Sequence, residues 1–278
     1  VVDHSGRNDD RVFLEVQELG NRLEAVSELQ GSLVQAPVAI VFDWENRWAL
    51  NDSRGPRNQG IHYEQTVREH YQYFREAGIN VDIVDSEGSL DGYKLVVAPM
   101  LYMLRAGFPE KLRRFVAEGG YLVGTYMSGL VNENDLVYLG DHPAEGLNEI
   151  YGIRREEIDG LHDHQSNELQ MLANPDERYT LRELCEIVHL NGAEVEAVYV
   201  HDFYAGKPVL TRHEYGAGRA FYLAAKPSVD FLRTLYRRLT DELGIGQTVF
   251  PELPSGVFVS TRSAVTEEGQ EKVYYFLQ

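Results

Sequence analysis

The two tryptophans of this 278-residue chain flank an arginine in the segment Asp43-Trp44-Glu45-Asn46-Arg47-Trp48. Aromatic faces stack on sugar rings, and tryptophan and arginine are favoured in the cores of protein interfaces. The tryptophans could instead be wedged into the core of their own domain. Because both stand next to charged residues, we favour a surface that meets a neighbouring subunit or a sugar pocket. We therefore predict Trp44, Arg47 and Trp48 as site residues, with Arg47 paired to a carboxylate across the interface.

Two side chains could act as nucleophiles, and neither has the pattern that catalysis requires. Ser128 follows the apolar run Tyr121–Thr125, but Gly-Thr-Tyr-Met-Ser-Gly is not a Gly-x-Ser-x-Gly elbow. Cys185 lies in the strand-like segment Glu183-Leu-Cys-Glu-Ile-Val, which favours a buried, inert thiol. We assign no catalytic residue.

Histidines and glycines suggest a metal or phosphate site only weakly. His162-Asp163-His164 and His201-Asp202 offer imidazoles, which suit zinc, but no His-x-x-x-His or cysteine pair accompanies them. Solvated or hydrogen-bonded histidines are the better interpretation. Gly216-Ala-Gly218 lacks the Lys-Ser/Thr of a phosphate-binding loop. We predict no metal and no cofactor.

The elements that would position these residues alternate between strands and helices. The predicted strands, in order, are Val38–Phe42, Ile79–Val84, Lys94–Met100 and Tyr121–Thr125. Helices are predicted over Tyr63–Ala77, from Pro109 to Gly119-Gly120, and over Ser228–Leu243. This alternation predicts an α/β fold with a doubly wound, mostly parallel sheet. The tryptophans would form an aromatic turn at the carboxyl end of the first strand, where such sheets bind ligands and partners. A polar loop, Asn51–Gly60, would follow.

The rest of the chain is less regular. An amphipathic helix is predicted over Asp9–Leu29, with Gly31–Pro37 as a linker. The stretch Leu130–Asp176 is irregular and rich in histidine. Four β-like runs follow: Leu184–Leu190, Glu194–Val200, Val209–Tyr215 and Arg219–Ala225. A hairpin is predicted from Val257–Arg262 and Lys272–Leu277.

Composition excludes several classes of protein. Lysine and arginine total 26 against 44 acidic residues, a net charge of −18, and such a field repels nucleic acid. No run of about 18 apolar residues suggests a membrane span. The single cysteine fits a reducing compartment, so we expect a cytoplasmic protein. The chain begins at Val1 with neither an initiating methionine nor a signal-peptide pattern, and we expect an excised piece.

Five segments together resemble the C-terminal part of a glycoside hydrolase family 42 β-galactosidase. They are Arg11–Gly20, Phe42–Leu50, Tyr93–Tyr102, Gly119–Gly129 and Val131–Asp135. By this resemblance, residues 1–36 are the last helix and linker of a missing (β/α)₈ catalytic barrel. Residues 37–250 form a trimerisation domain, similar to class I glutamine amidotransferases with their flavodoxin-like layers. Residues 251–278 are the truncated start of a C-terminal β domain.

The resemblance implies a non-catalytic assembly region. The parent protein would hydrolyse terminal β-D-galactosides with retention, and its missing barrel would bind the galactoside and carry the carboxylate pair that this mechanism needs. The chain itself would be an inactive homotrimer held together through the α/β domain. Two alternatives stay open: a free-standing amidotransferase-like enzyme with a serine- or histidine-based site, and a carbohydrate-binding module built around Trp44 and Trp48.

Overall fold

The computed structural model describes residues 4, 6–55, 61–246, 254, 256–265 and 269–278. These residues divide into two compact units, one of residues 36–259 and one of residues 1–35 with 260–278. The helices are α1 (Arg11–Ala25), α2 (Trp44–Asp52), α3 (Tyr63–Glu76), α4 (Phe108–Ala117), α5 (Leu147–Tyr151) and α6 (Val229–Glu242). The strands are β1 (Val38–Val41), β2 (Val81–Val84), β3 (Leu95–Ala98), β4 (Met103–Leu104), β5 (Tyr121–Thr125), β6 (Val131–Asn132), β7 (Ile153–Gly160), β8 (Asn167–Met171), β9 (Arg178–Leu190), β10 (Glu194–Tyr199), β11 (Pro208–Tyr215), β12 (Gly218–Leu223), β13 (Ala225–Pro227), β14 (Val259–Val265) and β15 (Glu271–Leu277).

Eleven of the described strands form one mixed sheet in the larger unit. The half with the order β2-β1-β3-β5-β12 is parallel. Beyond β12 the described ladders through β11, β10, β8, β9, β13 and β7 are antiparallel. The prediction of a mostly parallel sheet was therefore wrong for this half. The connections between the paired strands β10 and β11 and between β11 and β12 are too short for the crossover that parallel neighbours require.

Helices cover both faces of the parallel half, so the α/β prediction is confirmed. Along β1, Val38 and Ile40 point to one core, while Ala39 and Val41 point to the other. The first core is completed by α2, α3 and α6, and the second by α4 and α5. Strands buried on both faces must be apolar at every position, which explains their unbroken apolar runs.

Most predicted elements of the parallel half lie where the sequence places them. The strand Tyr121–Thr125 matches its predicted bounds, and α3 ends just before Gly78, which has φ 65°. Pro109 lies in the first turn of α4, where its missing N–H costs nothing. None of the described helices is both long and apolar enough to cross a membrane.

Two segments differ from their predictions. The expected aromatic turn at Trp44–Trp48 is the first part of helix α2, so the polar loop begins only after Asp52; its residues 56–60 lie outside the described part. The stretch 130–176, expected to be irregular, contains β6, α5, β7 and β8. The predicted boundary at Phe250 and Pro251 also falls on residues that are not described.

The smaller unit contains α1, a 3₁₀ turn at Ser27–Leu29, and strands β14 and β15, which pair as an antiparallel sheet. The hairpin prediction is thereby confirmed, although the residues 266–268 of its turn are not described. Leu33, predicted to lie in a linker, bridges Ser263 by two backbone hydrogen bonds of 2.7 and 2.8 Å. The apolar residues of α1 stay exposed: Val12, Val16, Leu19 and Leu23, with Val26 after the helix.

Candidate functional site at the carboxyl end of the parallel strands

Helix α2 begins where β1 ends, because Asp43 caps it. The Asp43 carboxylate accepts hydrogen bonds from the backbone N–H groups of Glu45 (3.0 Å) and Asn46 (3.4 Å), which are unsatisfied at any helix start. It also accepts the hydroxyl of Ser86. Burial acts to raise the pKa of Asp43, but these hydrogen bonds outweigh it and hold the pKa below its ordinary value. The carboxylate stays ionised and fixes the direction in which α2 leaves the sheet.

Asn46 fastens α2 to the segment that follows β3. Its side chain is buried, donates to the carbonyl of Met100 (3.0 Å) and accepts from the N–H of Met103 (2.8 Å). Sequence reasoning missed this residue, since an asparagine in a charged segment gives no sign of its partners more than 50 residues away. The cap and this double hydrogen bond together make α2 a rigid platform.

The platform presents both tryptophans to solvent. Trp44 is 54% exposed and Trp48 is 57% exposed, with ring centroids 6.5 Å apart. Phe42 packs edge-on against Trp44 at 5.3 Å and stacks on the buried Tyr63 at 5.2 Å. The indoles therefore do not belong to the core of this chain. We name the exposed faces of Trp44 and Trp48, with Arg47, the α2 aromatic surface.

Arg47 contacts the Trp44 ring, but its carboxylate partner belongs to its own chain. Its guanidinium carbon lies 5.3 Å from the centroid of the Trp44 ring, in a cation–π contact. Its Nε lies 2.5 Å from Oε1 of Glu64 on α3. The two contacts hold the guanidinium against the indole.

Charged groups also lie on and beside the first turn of α2. Arg105 approaches Glu45 at 3.4 Å and hydrogen-bonds Glu87 at 2.6 Å. Aromatic residues and arginine are enriched at protein interfaces. Isolated exposed aromatics are ordinary, but a pair of adjacent indoles with an arginine is the group enriched in interface hot spots.

The turn after β5, where a nucleophile would lie in an amidotransferase-like enzyme, is closed. Met127 is fully buried with φ 62°, and its N–H donates to Glu186 Oε1 at 2.8 Å. Ser128 is also buried and donates its hydroxyl to the carbonyl of Thr125 (2.6 Å). Cys185 is buried as expected, and burial raises the pKa of its thiol to about 12. Neither side chain is poised as a nucleophile.

Glu186 is the most unusual carboxyl group of the larger unit, and sequence reasoning missed it. It is wholly buried and accepts from Met127 N–H, from Tyr222 hydroxyl (2.7 Å) and from Arg155 Nη1 (3.3 Å). Burial raises its pKa, while Arg155 opposes the rise. A lone glutamate within the apolar run Leu184-Cys-Glu-Ile-Val was the signal available in the sequence.

The histidines His162, His164 and His201 are not arranged as a metal centre in the described part of the chain. The rings of His162 and His164 stack at 5.8 Å, and His201 Nε2 lies 3.4 Å from Glu168. Among the described residues, no three or more histidine, cysteine or acidic side chains are grouped as metal ligands would be.

Comparison with known proteins identifies the family. Residues 36–246 match the family model of the β-galactosidase trimerisation domain. β-Galactosidase BglY of Alicyclobacillus acidocaldarius is 48% identical over 267 residues, covering 95% of this chain and 39% of the relative. β-Galactosidase Pbg of Clostridium perfringens is 39% identical over 280 residues, covering 99% of this chain and 40% of the relative. The chain thus spans about two fifths of the length of these curated relatives.

Solved structures give the same result. The crystal structure of the β-galactosidase from Rahnella sp. R3 superposes with a TM-score of 0.85 at 43% identity, covering 99% of this chain and 40% of that one. The crystal structure from Bacillus circulans sp. alkalophilus gives a TM-score of 0.83 at 40% identity, covering 94% and 39%. The chain therefore belongs to the trimerisation-domain family of the glycoside hydrolase family 42 β-galactosidases.

Proposed function

We propose that this chain is the non-catalytic assembly region of a β-galactosidase, and that it forms a homotrimer through its α/β unit. The observation that carries the proposal is the α2 aromatic surface: two adjacent, half-exposed tryptophans on a rigid helix, in a member of a family of trimerisation domains. Cyclic assembly requires each subunit to offer one surface to the next. Trp44, Arg47 and Trp48 are our choice for that surface, against a second copy of the chain or the rim of its sugar pocket.

We also propose a fold group within the α/β class. We place the unit 37–250 in the class I glutamine-amidotransferase-like group, with flavodoxin-like layers. The strand order β2-β1-β3-β5-β12, with helices on both faces, supports this placement. The positive φ of Met127 directly after β5 supports it too, since a nucleophile turn has such a strained residue.

The flanks have separate roles in this proposal. Residues 1–36 would be the last helix and linker of a catalytic (β/α)₈ barrel, whose surface would cover the exposed apolar stripe of α1. Residues 251–278 would begin a small β domain. The barrel would bind the terminal β-D-galactoside, supply the two carboxylates about 5–5.5 Å apart, and hydrolyse the bond with retention. We place the protein in the cytoplasm, without nucleic-acid or membrane partners.

The buried state of Ser128 and Cys185 disfavours the amidotransferase-like enzyme as the function of this chain. Exposed tryptophans alone would also suit a carbohydrate-binding module, and the assembly experiment below separates the two functions.

Light scattering coupled to size-exclusion chromatography tests the proposal on the 278-residue chain. We expect the mass of three chains. Trp44→Ala together with Trp48→Ala should raise the dissociation constant of each subunit interface by about 1,000-fold, because two hot-spot residues at about 2 kcal/mol each sum to about 4 kcal/mol. Phe203→Ser is the matched control: it also removes an exposed aromatic ring, from the turn between β10 and β11 on the antiparallel half of the sheet.

Two results would overturn the assembly function. One is a monomer at all concentrations. The other is a trimer that resists the double substitution while losing affinity for galactosides, which would favour the carbohydrate-binding module. A chromogenic β-galactoside incubated with the chain should show no turnover.

A further inference from the structure

A cavity of about 260 Å³ opens in the larger unit between α3, β9, β13 and the start of α6. Its polar lining comprises Gln65, Glu69, Thr180, Arg182, Glu183 and Lys226. None of these belongs to the α2 aromatic surface. Two cations and two carboxylates therefore face one small space.

Lys226 is the most deeply buried of these groups. Its side chain is 8% exposed, and its ammonium donates to Glu183 Oε1 at 2.8 Å. Glu69 Oε2 lies at 3.8 Å, close enough for attraction but too far for a hydrogen bond. An ammonium carries three donors, and the contacts described for Lys226 use one of them. Burying an ammonium costs several kcal/mol, and an incomplete set of partners offsets this cost poorly.

Glu183 reaches Lys226 from a strained position. It has φ 68°, a conformation that non-glycine residues adopt at a cost of about 1–3 kcal/mol. It lies where the pairing of β9 with β13 shifts: Cys185 pairs with Ala225, but Arg182 pairs with Lys226. Such bulges re-aim side chains and are frequent beside binding sites. The strained backbone of Glu183 therefore lies at the position from which its carboxylate reaches the cavity.

The opposite wall is ordered as well. Gln65 donates from Nε2 to Glu69 Oε1 at 2.8 Å and so orients the second carboxylate. Ser228 and Val229, at the start of α6, also line the cavity, and the Ser228 side chain does not cap the helix.

We propose that this cavity binds a neutral, polyhydroxylated ligand of monosaccharide size. The balanced charges favour neither an anion nor a cation. Hydroxyl groups both donate and accept, so they can satisfy the carboxylates, the remaining ammonium donors and the amide together. The volume lies just below the range of about 300–1,000 Å³ typical of drug-sized ligands. Our choice of D-galactose as the first probe rests on the proposed function. The side chains that line the cavity support a polyhydroxylated ligand independently of the proposed function.

The test is titration of the 278-residue chain with D-galactose and with D-glucose, with saturation-transfer NMR to detect binding. We expect saturable binding of a hexose with a Kd on the order of 1 mM. Glu69→Gln should weaken it about tenfold, since the neutral amide accepts a ligand hydroxyl less strongly. Lys226→Met should abolish it. Glu69 is partly exposed, so its variant keeps the test decisive if Lys226→Met fails to fold.

Glu76→Gln provides a matched control on the same helix. Glu76 lies seven residues after Glu69 and accepts from Gln72 at 2.8 Å, as Glu69 does from Gln65, but it pairs with Arg233 outside the cavity. Its substitution should leave hexose binding unchanged. No saturable binding of either hexose, equal effects of the two glutamine variants, or binding of glycine or inorganic phosphate in place of hexose would overturn the proposal.

Light scattering on the same samples separates this proposal from the proposed function. A trimer that binds no hexose contradicts the ligand site alone. A monomer that binds hexose through Glu69 contradicts the assembly function alone.

Discussion

Replacing Asn46 with alanine should destabilise the larger unit and loosen the α2 aromatic surface together. The substitution removes both hydrogen bonds that tie α2 to the segment after β3, to Met100 O and from Met103 N. Met103 is buried, so its N–H would be left without this partner, whereas the Met100 carbonyl keeps the hydrogen bond that it accepts from Tyr102 N–H. An unsatisfied buried group costs about 1–3 kcal/mol and an ordinary hydrogen bond contributes about 0.5–1.5 kcal/mol, which gives a total loss of about 1.5–4.5 kcal/mol.

Urea unfolding followed by circular dichroism measures this loss as a change in the free energy of unfolding. Asn51→Ala is the control, because Asn51 is an exposed asparagine on the same helix and should change stability by less than about 0.5 kcal/mol. Tryptophan fluorescence adds a local reading, since both indoles lie on α2: the variant should show increased quenching by acrylamide before global unfolding. A loss below about 1 kcal/mol with unchanged quenching would refute the role assigned to Asn46.

Two further predictions concern the core. His70 is fully buried against Tyr236, and burial, with the nearby charge of Lys226, lowers its pKa from 6.5 to about 3. The unfolded chain therefore binds a proton that the folded chain does not, so between pH 6.5 and pH 3 the stability falls as the pH falls. Between pH 7.5 and pH 5, His70 accounts for a loss of about 2 kcal/mol. Urea titrations at pH 7.5 and pH 5 should show that the His70→Gln variant loses about 2 kcal/mol less than the parent chain. Gly124→Ala should lower the thermal midpoint, with a loss of about 1–3 kcal/mol, because a Cβ there would lie 2.1 Å from the Tyr151 hydroxyl. An unchanged midpoint would mean that Tyr151 moves aside freely.

The parallel half of the fold was predictable because its signals are local. Runs such as Val38–Phe42 and Leu95–Ala98 are apolar at every position, and proline and glycine mark the ends of α4. The antiparallel half was not predictable in the same way. Strand β10 and the second half of β9 were predicted one by one, but β8 lies within the stretch that was predicted to be irregular. The pairing of these strands with one another and with β13 and β7 depends on contacts distant in sequence.

The residue types of the candidate site were predictable from the sequence, but the helix that carries them and their exposure to solvent were not. Two tryptophans beside charged residues marked the segment, yet a turn and a helix display side chains differently. Asp43 contained the local signal for the helix, an aspartate cap before Glu45 and Asn46. The exposure of Trp44 and Trp48 depends on the Asn46 contacts with Met100 and Met103, and no pattern within α2 specifies these.

The turn after β5 explains physically why this scaffold would serve assembly rather than acyl transfer. A catalytic turn needs backbone N–H groups left open for the oxyanion that develops on the substrate. Here the N–H of Met127 is already bound to the Glu186 carboxylate, which Arg155 and Tyr222 hold in place. Even a cysteine at position 127 would lie in a fully buried site beside an acidic group, where negative charge on a substrate is disfavoured. Restoring chemistry would therefore require removing Glu186 and its ion pair from the core.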